Sequence, residues 1–151
     1  MESVLTYTNL FAIMRIQIRK RANKGVKMMD NNLTFGKFIT QKRKELSISL
    51  RSFAFGVDLS PVYICDIEKD RRPAPAQHIL DKMFALLHLD EADKLVMYDL
   101  AGESRNAVPI DLPKYIMEKD IVKTALRKAK EVDATDAEWE EFINRITNRN
   151  E

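Results

Sequence analysis

The sequence is poor in the residues that cross-link, break or kink a chain. It contains one cysteine, four glycines and five prolines in 151 residues. A single cysteine excludes an internal disulfide, so we expect a reducing, cytoplasmic environment. Few glycines and prolines, together with very little alternation of polar and apolar residues, favour an all-α protein. The glycines lie too far apart along the chain to form a phosphate-binding loop.

The sequence also lacks the groupings that catalysis, metal binding or membrane insertion require. Its two histidines, His78 and His88, are ten residues apart rather than the four of a helical metal pair. We find no Ser-His-Asp or Cys-His arrangement and no calcium-loop spacing. The apolar run Leu10–Met14 is too short to span a bilayer. We therefore predict no enzymatic activity, no cofactor, no metal and no membrane association.

The charge that is present is distributed unevenly. Residues 1–32 contain six basic and two acidic residues, and residues 33–72 contain eight and five. Residues 73–151 reverse the sign, with eleven basic and sixteen acidic residues. A basic front half predicts an anionic partner. Residues 1–32 themselves allow two interpretations, a poorly ordered basic extension or an arm that follows a DNA backbone or enters a minor groove.

From residue 33 the pattern predicts successive short helices, each opened by a residue that can cap it. Thr34 opens a helix near 35–46, Ser49 one near 50–57, and Ser60 a third whose first turn holds Pro61. A fourth amphipathic helix follows, and Asp90 opens a fifth. The predicted inward side chains are Phe35, Phe38, Ile39, Leu46, Phe53, Ala54, Val57, Ile64, Ile67, Ile79, Leu80, Met83, Phe84, Leu87, Ala92, Leu95, Val96 and Leu100.

The second and third of these helices have the spacing of a helix-turn-helix. Ala54 is small enough for two helices to cross closely, and Asp58 stands where the turn needs a left-handed residue. In the third helix Ile64 and Ile67 form only a narrow apolar stripe, which leaves Pro61, Val62, Cys65, Asp66 and Lys69 outward. Such a polar, exposed second helix is typical of a recognition helix.

The segment "FITQKRKELSISLRSFAFGVDLSPVYICDIEKDRRPAP" resembles the Cro/C1-like, or Xre-type, helix-turn-helix regulators. The resemblance covers about residues 34–92 and implies a lambda-repressor-like domain of five helices. It also implies an ion pair between Arg43 and Glu68, with Arg43 near a phosphate. The recognition helix would enter the major groove, with Lys69, Arg71 and Arg72 beside the DNA backbone.

The expected DNA-binding set combines phosphate contacts with a few side chains that can face bases. Its members are Arg43, Ser49, Arg51, Ser60, Pro61, Val62, Tyr63, Asp66, Lys69, Arg71 and Arg72. Pro61 and Val62 cannot donate to base edges, where relatives often have glutamine. Val62 can contact a thymine methyl, and Asp66 can accept from cytosine, although its carboxylate otherwise repels phosphates. We therefore expect DNA shape to contribute to recognition.

The last third predicts a linker at 103–110 and a helical extension at 111–151. Thr135 and Glu138 have the spacing of a capping box, which opens a last helix. That helix has an apolar face formed by Trp139, Phe142, Ile143 and Ile146. A short helix pair cannot bury such a face alone. The face therefore packs on the first domain, on a second copy, or on another protein.

Two functions remain open from the sequence. The first is a sequence-specific regulator, a repressor that binds double-stranded DNA as a homodimer on a pseudo-palindromic site. The second is a HigA-like antitoxin, which autoregulates its operon and binds a toxin through its C-terminal helices. A helical adaptor without DNA binding is a third interpretation, kept open by Pro61, Val62 and Asp66.

Overall fold

A computed structural model describes residues 33–148 of the chain, and these residues form helices and connecting turns without strands. Both interpretations of residues 1–32 lie outside this range. None of the described helices is long and apolar enough to cross a membrane. The helices are α1 (Phe35–Glu45), α2 (Leu50–Gly56), α3 (Pro61–Glu68), α4 (Gln77–Leu86), α5 (Glu91–Arg105), α6 (Leu112–Glu118), α7 (Asp120–Glu131) and α8 (Asp136–Thr147).

The described residues divide into two compact units, 33–110 and 111–148. The first unit contains α1–α5 and the second contains the C-terminal helices, so the predicted all-α class is confirmed for the described residues. All of the expected linker at 103–110 belongs to the first unit. Helix α5 continues to Arg105, and Ile110 packs against the first unit's core. The sequence did not indicate that the helix extends through residues 103–105, because these residues show no apolar periodicity. Capping and tertiary contacts stabilise this end of the helix.

Helices α1, α2, α3 and α5 begin where capping side chains were predicted. The side chains of Thr34, Ser49, Ser60 and Asp90 each accept a hydrogen bond from the backbone N–H three residues later. These bonds satisfy donors that the first turn of a helix leaves without partners. Asp58, in the turn after α2, has φ of 56°, which confirms the predicted left-handed position.

The core of the first unit is contributed by all five of its helices. Phe53 of α2 and Ile64 and Ile67 of α3 are completely buried. Two expectations were wrong in detail. Leu46 is 41 % exposed because α1 ends at Glu45, which leaves Leu46 as its C-cap. Helix α5 buries Met97, Tyr98, Leu100 and Ala101, whereas Ala92, Leu95 and Val96 stay half-buried nearer its start.

The second unit is helical but has no fully buried residue among those described. The predicted capping box of α8 is present, since the Thr135 side chain accepts from Glu138 N–H while the Glu138 carboxylate accepts from Thr135 N–H. That backbone hydrogen bond lowers the pKa of Glu138 below its ordinary value. On the apolar face of α8, Trp139 and Phe142 meet edge to face with ring centroids 6.1 Å apart.

Candidate nucleic-acid interface

Helices α2 and α3 cross closely around one small residue. Ala54 is fully buried, and its carbonyl accepts hydrogen bonds from the N–H groups of both Val57 and Leu59. These bonds close the turn between the helices. Because the turn is short and its left-handed residue is Asp58, the start of α3 is fixed relative to α2. The Asp58 carboxylate also pairs with Lys82 of α4, which lowers the pKa of Asp58.

Helix α3 is fully buried only along the narrow apolar stripe that the sequence predicted. Ile64 and Ile67 are fully buried, whereas Val62 is 71 % exposed. Pro61, Tyr63, Cys65 and Asp66 are half-buried along the remaining surface. A helix that is buried along one line only, and that begins at a capped, exposed serine, has the geometry required to lie in a groove.

Helix α3 and the segment after it carry a cluster of charged and aromatic side chains, which we call the α3 charge cluster: Tyr63, Asp66, Arg71 and Arg72. The Asp66 carboxylate lies 3.8 Å from Arg71 Nη1 and 3.6 Å from Arg72 Nε. The Arg72 guanidinium also stacks over the Tyr63 ring, 4.9 Å from its centroid. The sequence placed all four residues at the interface, but it gave no sign that they contact one another.

Beneath this surface, Arg43 of α1 and Glu68 of α3 form the ion pair that the family resemblance implied. Arg43 Nε donates to Glu68 Oε1 at 2.6 Å and Nη2 donates to Oε2 at 2.8 Å. Nη1 donates to the Ile48 carbonyl. Both side chains of the pair are only 9 % exposed. The hydrogen bond to Glu68 raises the pKa of Arg43, which opposes the lowering effect of burial.

This burial changes the role expected of Arg43. The sequence placed it among the phosphate contacts, but three of its N–H groups are directed at partners inside the protein. Its guanidinium therefore holds α1 against α3 rather than lying on the surface. The position looked exposed in the sequence because it lies in the basic run "QKRKE", whose neighbours Lys44 and Glu45 are exposed.

The remaining predicted contacts lie on the exposed side of the same unit. Arg51, Ser49 and Ser60 are exposed at the starts of α2 and α3, and Lys69 is exposed at the end of α3. The Ser49 and Ser52 hydroxyls are 2.8 Å apart. Ser49 therefore serves as a helix cap and as half of a hydroxyl pair.

The segment that carries Arg71 and Arg72 is held in place by Asp70, Ser104 and Arg105, which sequence reasoning missed. Asp70 accepts from the Thr34 hydroxyl at 2.6 Å and from the Gly36 N–H at 3.2 Å, which ties the end of α3 to the start of α1. After the arginines, both backbone polar groups of buried Ala74 are hydrogen-bonded. Its N–H donates to Ser104 Oγ, and its carbonyl accepts from Arg105 Nε.

Gly36 makes the close approach between α1 and the end of α3 feasible. A Cβ at this position would lie 2.9 Å from the Glu68 carbonyl and nearer still to that of Ile67. Because both obstacles are backbone, they cannot rotate away as a side chain would. The local signal available in the sequence was a glycine directly after the Thr34 cap, in a helix where glycine is otherwise unfavourable.

Comparisons with known proteins add little to this description. No protein-family model matches the chain, and no curated protein matches it. Among solved structures, it is similar to a complex of the SinR protein and the SinI protein, at 20 % sequence identity and a TM-score of 0.37. The match covers 78 % of this chain and 98 % of the other. A likeness at this TM-score carries no functional argument.

Proposed function

We propose that the protein is a sequence-specific DNA-binding transcription regulator of the Cro/C1-like type, a repressor that acts in the cytoplasm as a homodimer. The observation that carries this proposal is the partly exposed outer side of helix α3 in a helix-turn-helix, with Lys69, Arg71 and Arg72 exposed just after the helix. Such an arrangement suits a helix in the major groove and cations at the adjacent phosphates. No comparable set of groups in the described residues supports a reaction.

Base readout by this helix depends on few side chains. Val62 is the most exposed of them and offers only a methyl contact, while Tyr63 lies under Arg72. A good bidentate contact to one base is worth about 1–3 kcal/mol of discrimination, and neither Pro61 nor Val62 can form one. Phosphate contacts and the shape of the DNA therefore carry a larger share of recognition.

The direct test is selection of bound sequences from random DNA with the purified full-length protein. We expect a pseudo-palindromic consensus whose half-sites are about 34 Å apart, and an affinity that falls steeply with salt. Repression is then measured with the selected site placed in a reporter promoter. Absence of DNA binding at low salt, or binding insensitive to salt, would contradict the regulator proposal.

The proposed dimer uses the apolar face of α8. Trp139, Phe142 and Ile146 are 37 %, 51 % and 44 % exposed, which leaves a contiguous apolar face on a helix with charged residues opposite. A single recognition helix with so little base readout buries too little DNA surface for specific binding, since single modules bury roughly 600–1,000 Å². Pairing two copies doubles that contact.

We expect deletion of residues 134–151 to convert a dimer to a monomer and to weaken DNA binding without unfolding residues 34–100. A full-length variant, Phe142→Glu with Ile146→Glu, should have the same effect because it charges the face while keeping the helix. Sedimentation gives the oligomeric state, and thermal unfolding checks the first unit. The matched control, Asn144→Glu, adds charge to the opposite side of α8.

Two outcomes decide against this use of α8. A full-length monomer would contradict the dimer itself. A truncated protein that still dimerises and binds DNA normally would show that the apolar face of α8 does not form the dimer contact.

The same exposed face supports a second candidate, a HigA-like antitoxin whose C-terminal helices bind a toxin protein. The second unit has no fully buried residue of its own, as a segment that folds against a partner would require. A small basic reading frame directly beside this gene favours the antitoxin. Co-expression with the product of that frame tests it, because an antitoxin should form a stable complex and relieve growth inhibition.

A further inference from the structure

Helix α3 carries two carboxylates, and they have different environments. Glu68 is directed inward and is fully engaged by Arg43. Asp66 lies on the outward surface, where the proposed function places DNA, and its side chain is 26 % exposed. A negative charge in this position opposes binding to a polyanion, so its presence at the interface requires an explanation.

The contacts of Asp66 supply one. Its two carboxylate oxygens face two different arginines, Oδ1 toward Arg71 and Oδ2 toward Arg72, at 3.8 and 3.6 Å. The arginine side chains remain 66 % and 53 % exposed, so water and DNA can reach them. A carboxylate placed between two guanidinium groups occupies the position that a phosphate would take between them.

We propose that Asp66 is an internal competitor for phosphate, which lowers the affinity for non-specific DNA more than the affinity for a cognate site and so increases the specificity of the protein. This inference rests on the proposed function. Exposed ion pairs at such distances are weak, so a phosphate can displace the carboxylate. After a phosphate has displaced it, the Asp66 carboxylate still lies beside the DNA backbone. Its repulsion of the phosphates lowers the affinity at every non-specific site.

A cognate site can offset the cost where a non-specific site cannot. Once the arginines turn to phosphates, the carboxylate is free to accept a hydrogen bond from a cytosine amino group in the major groove. A site with guanine or thymine at that position offers no amino donor in the major groove. Arg72 keeps its stacking contact with Tyr63, which directs its guanidinium toward the same surface whichever anion it binds.

The test is Asp66→Asn, measured on random-sequence DNA and on the site selected with the unmodified protein. We expect affinity for random DNA to rise about tenfold, as removing one nearby charge implies. The salt dependence should steepen by about 0.9 log unit per log unit of salt, because the variant loses one negative charge that offsets a phosphate contact. Affinity for the selected site should rise less, so the ratio of specific to non-specific binding falls.

Asp81→Asn is the matched control, because Asp81 is exposed on α4 and the substitution changes the net charge equally. In a protein that already carries Arg71→Ala and Arg72→Ala, Asp66→Asn should raise the affinity for random DNA no more than Asp81→Asn does. The Asp66 carboxylate then has no arginine for which to compete with phosphate. Thermal unfolding of each variant confirms that the first unit is folded.

The outcomes separate this inference from the proposed function. If the unmodified protein binds no DNA at low salt, the function itself is wrong. If it binds DNA and Asp66→Asn matches Asp81→Asn on random DNA, the competition is overturned. Unchanged binding to random DNA with loss of a base preference at the selected site would also overturn it, because Asp66 would then act only as a base contact.

Discussion

Replacing Arg71 and Arg72 together by alanine is expected to weaken binding to all DNA sequences alike. Both side chains are exposed beside the end of α3, where the DNA backbone would pass. If each neutralises one phosphate, the slope of log affinity against log salt flattens by about 1.8, which corresponds to a roughly 60-fold loss at 0.1 M salt. Titration of labelled random and selected DNA at several salt concentrations measures both quantities.

The control for this prediction removes equal charge elsewhere. Lys114→Ala with Lys128→Ala changes two exposed lysines of the second unit and should leave the salt slope unchanged. An equal loss in both double variants would mean that net charge alone attracts DNA. A loss confined to particular sequences in the arginine variant would assign the arginines to base recognition rather than to phosphates.

The second large effect is on stability. Glu68→Ala should lower the free energy of unfolding by about 3 kcal/mol, because it leaves the Arg43 guanidinium buried without a counter-charge. DNA binding should fall with it, since the pair joins α1 to the recognition helix. Chemical denaturation measures the first effect. Glu45→Ala, an exposed carboxylate at the end of α1, is the control and should cost less than about 1 kcal/mol.

A paired substitution separates the cost of an unpaired charge from the contribution of the pair itself. Arg43→Met with Glu68→Leu removes both charges and keeps apolar volume, so it should be considerably more stable than Glu68→Ala alone. If Glu68→Ala is as stable as the unmodified protein, the pair contributes nothing and Glu68 behaves as a surface charge. If the paired variant is the less stable of the two, hydrogen bonding rather than charge dominates.

The sequence predicts well those features that depend on neighbouring residues. Thr34, Ser49, Ser60 and Asp90 cap helices because a side-chain oxygen reaches an N–H three residues later, which is a purely local geometry. The buried stripe of α3 follows from helical periodicity in the same way.

Features that depend on residues distant in the chain were less accessible. The Arg43–Glu68 pair came only from the family resemblance, and nothing local distinguishes Arg43 from the exposed lysine that follows it. Contacts such as those of Asp70 with Gly36, or of Ser104 with Ala74, join positions 30 or more residues apart. Predicting them requires knowing how α1, α3 and α5 are arranged.

The hydrogen-bonded backbone of Ala74 has a consequence for the thermodynamics of the proposed binding to DNA. Backbone that is free before association and fixed afterwards loses conformational entropy, which opposes the complex. The segment that carries Arg71 and Arg72 is held on one side by Asp70 and on the other by Ala74, through Ser104 and Arg105. The proposed binding to DNA would therefore immobilise only the arginine side chains, because the main chain that bears them is already preorganised.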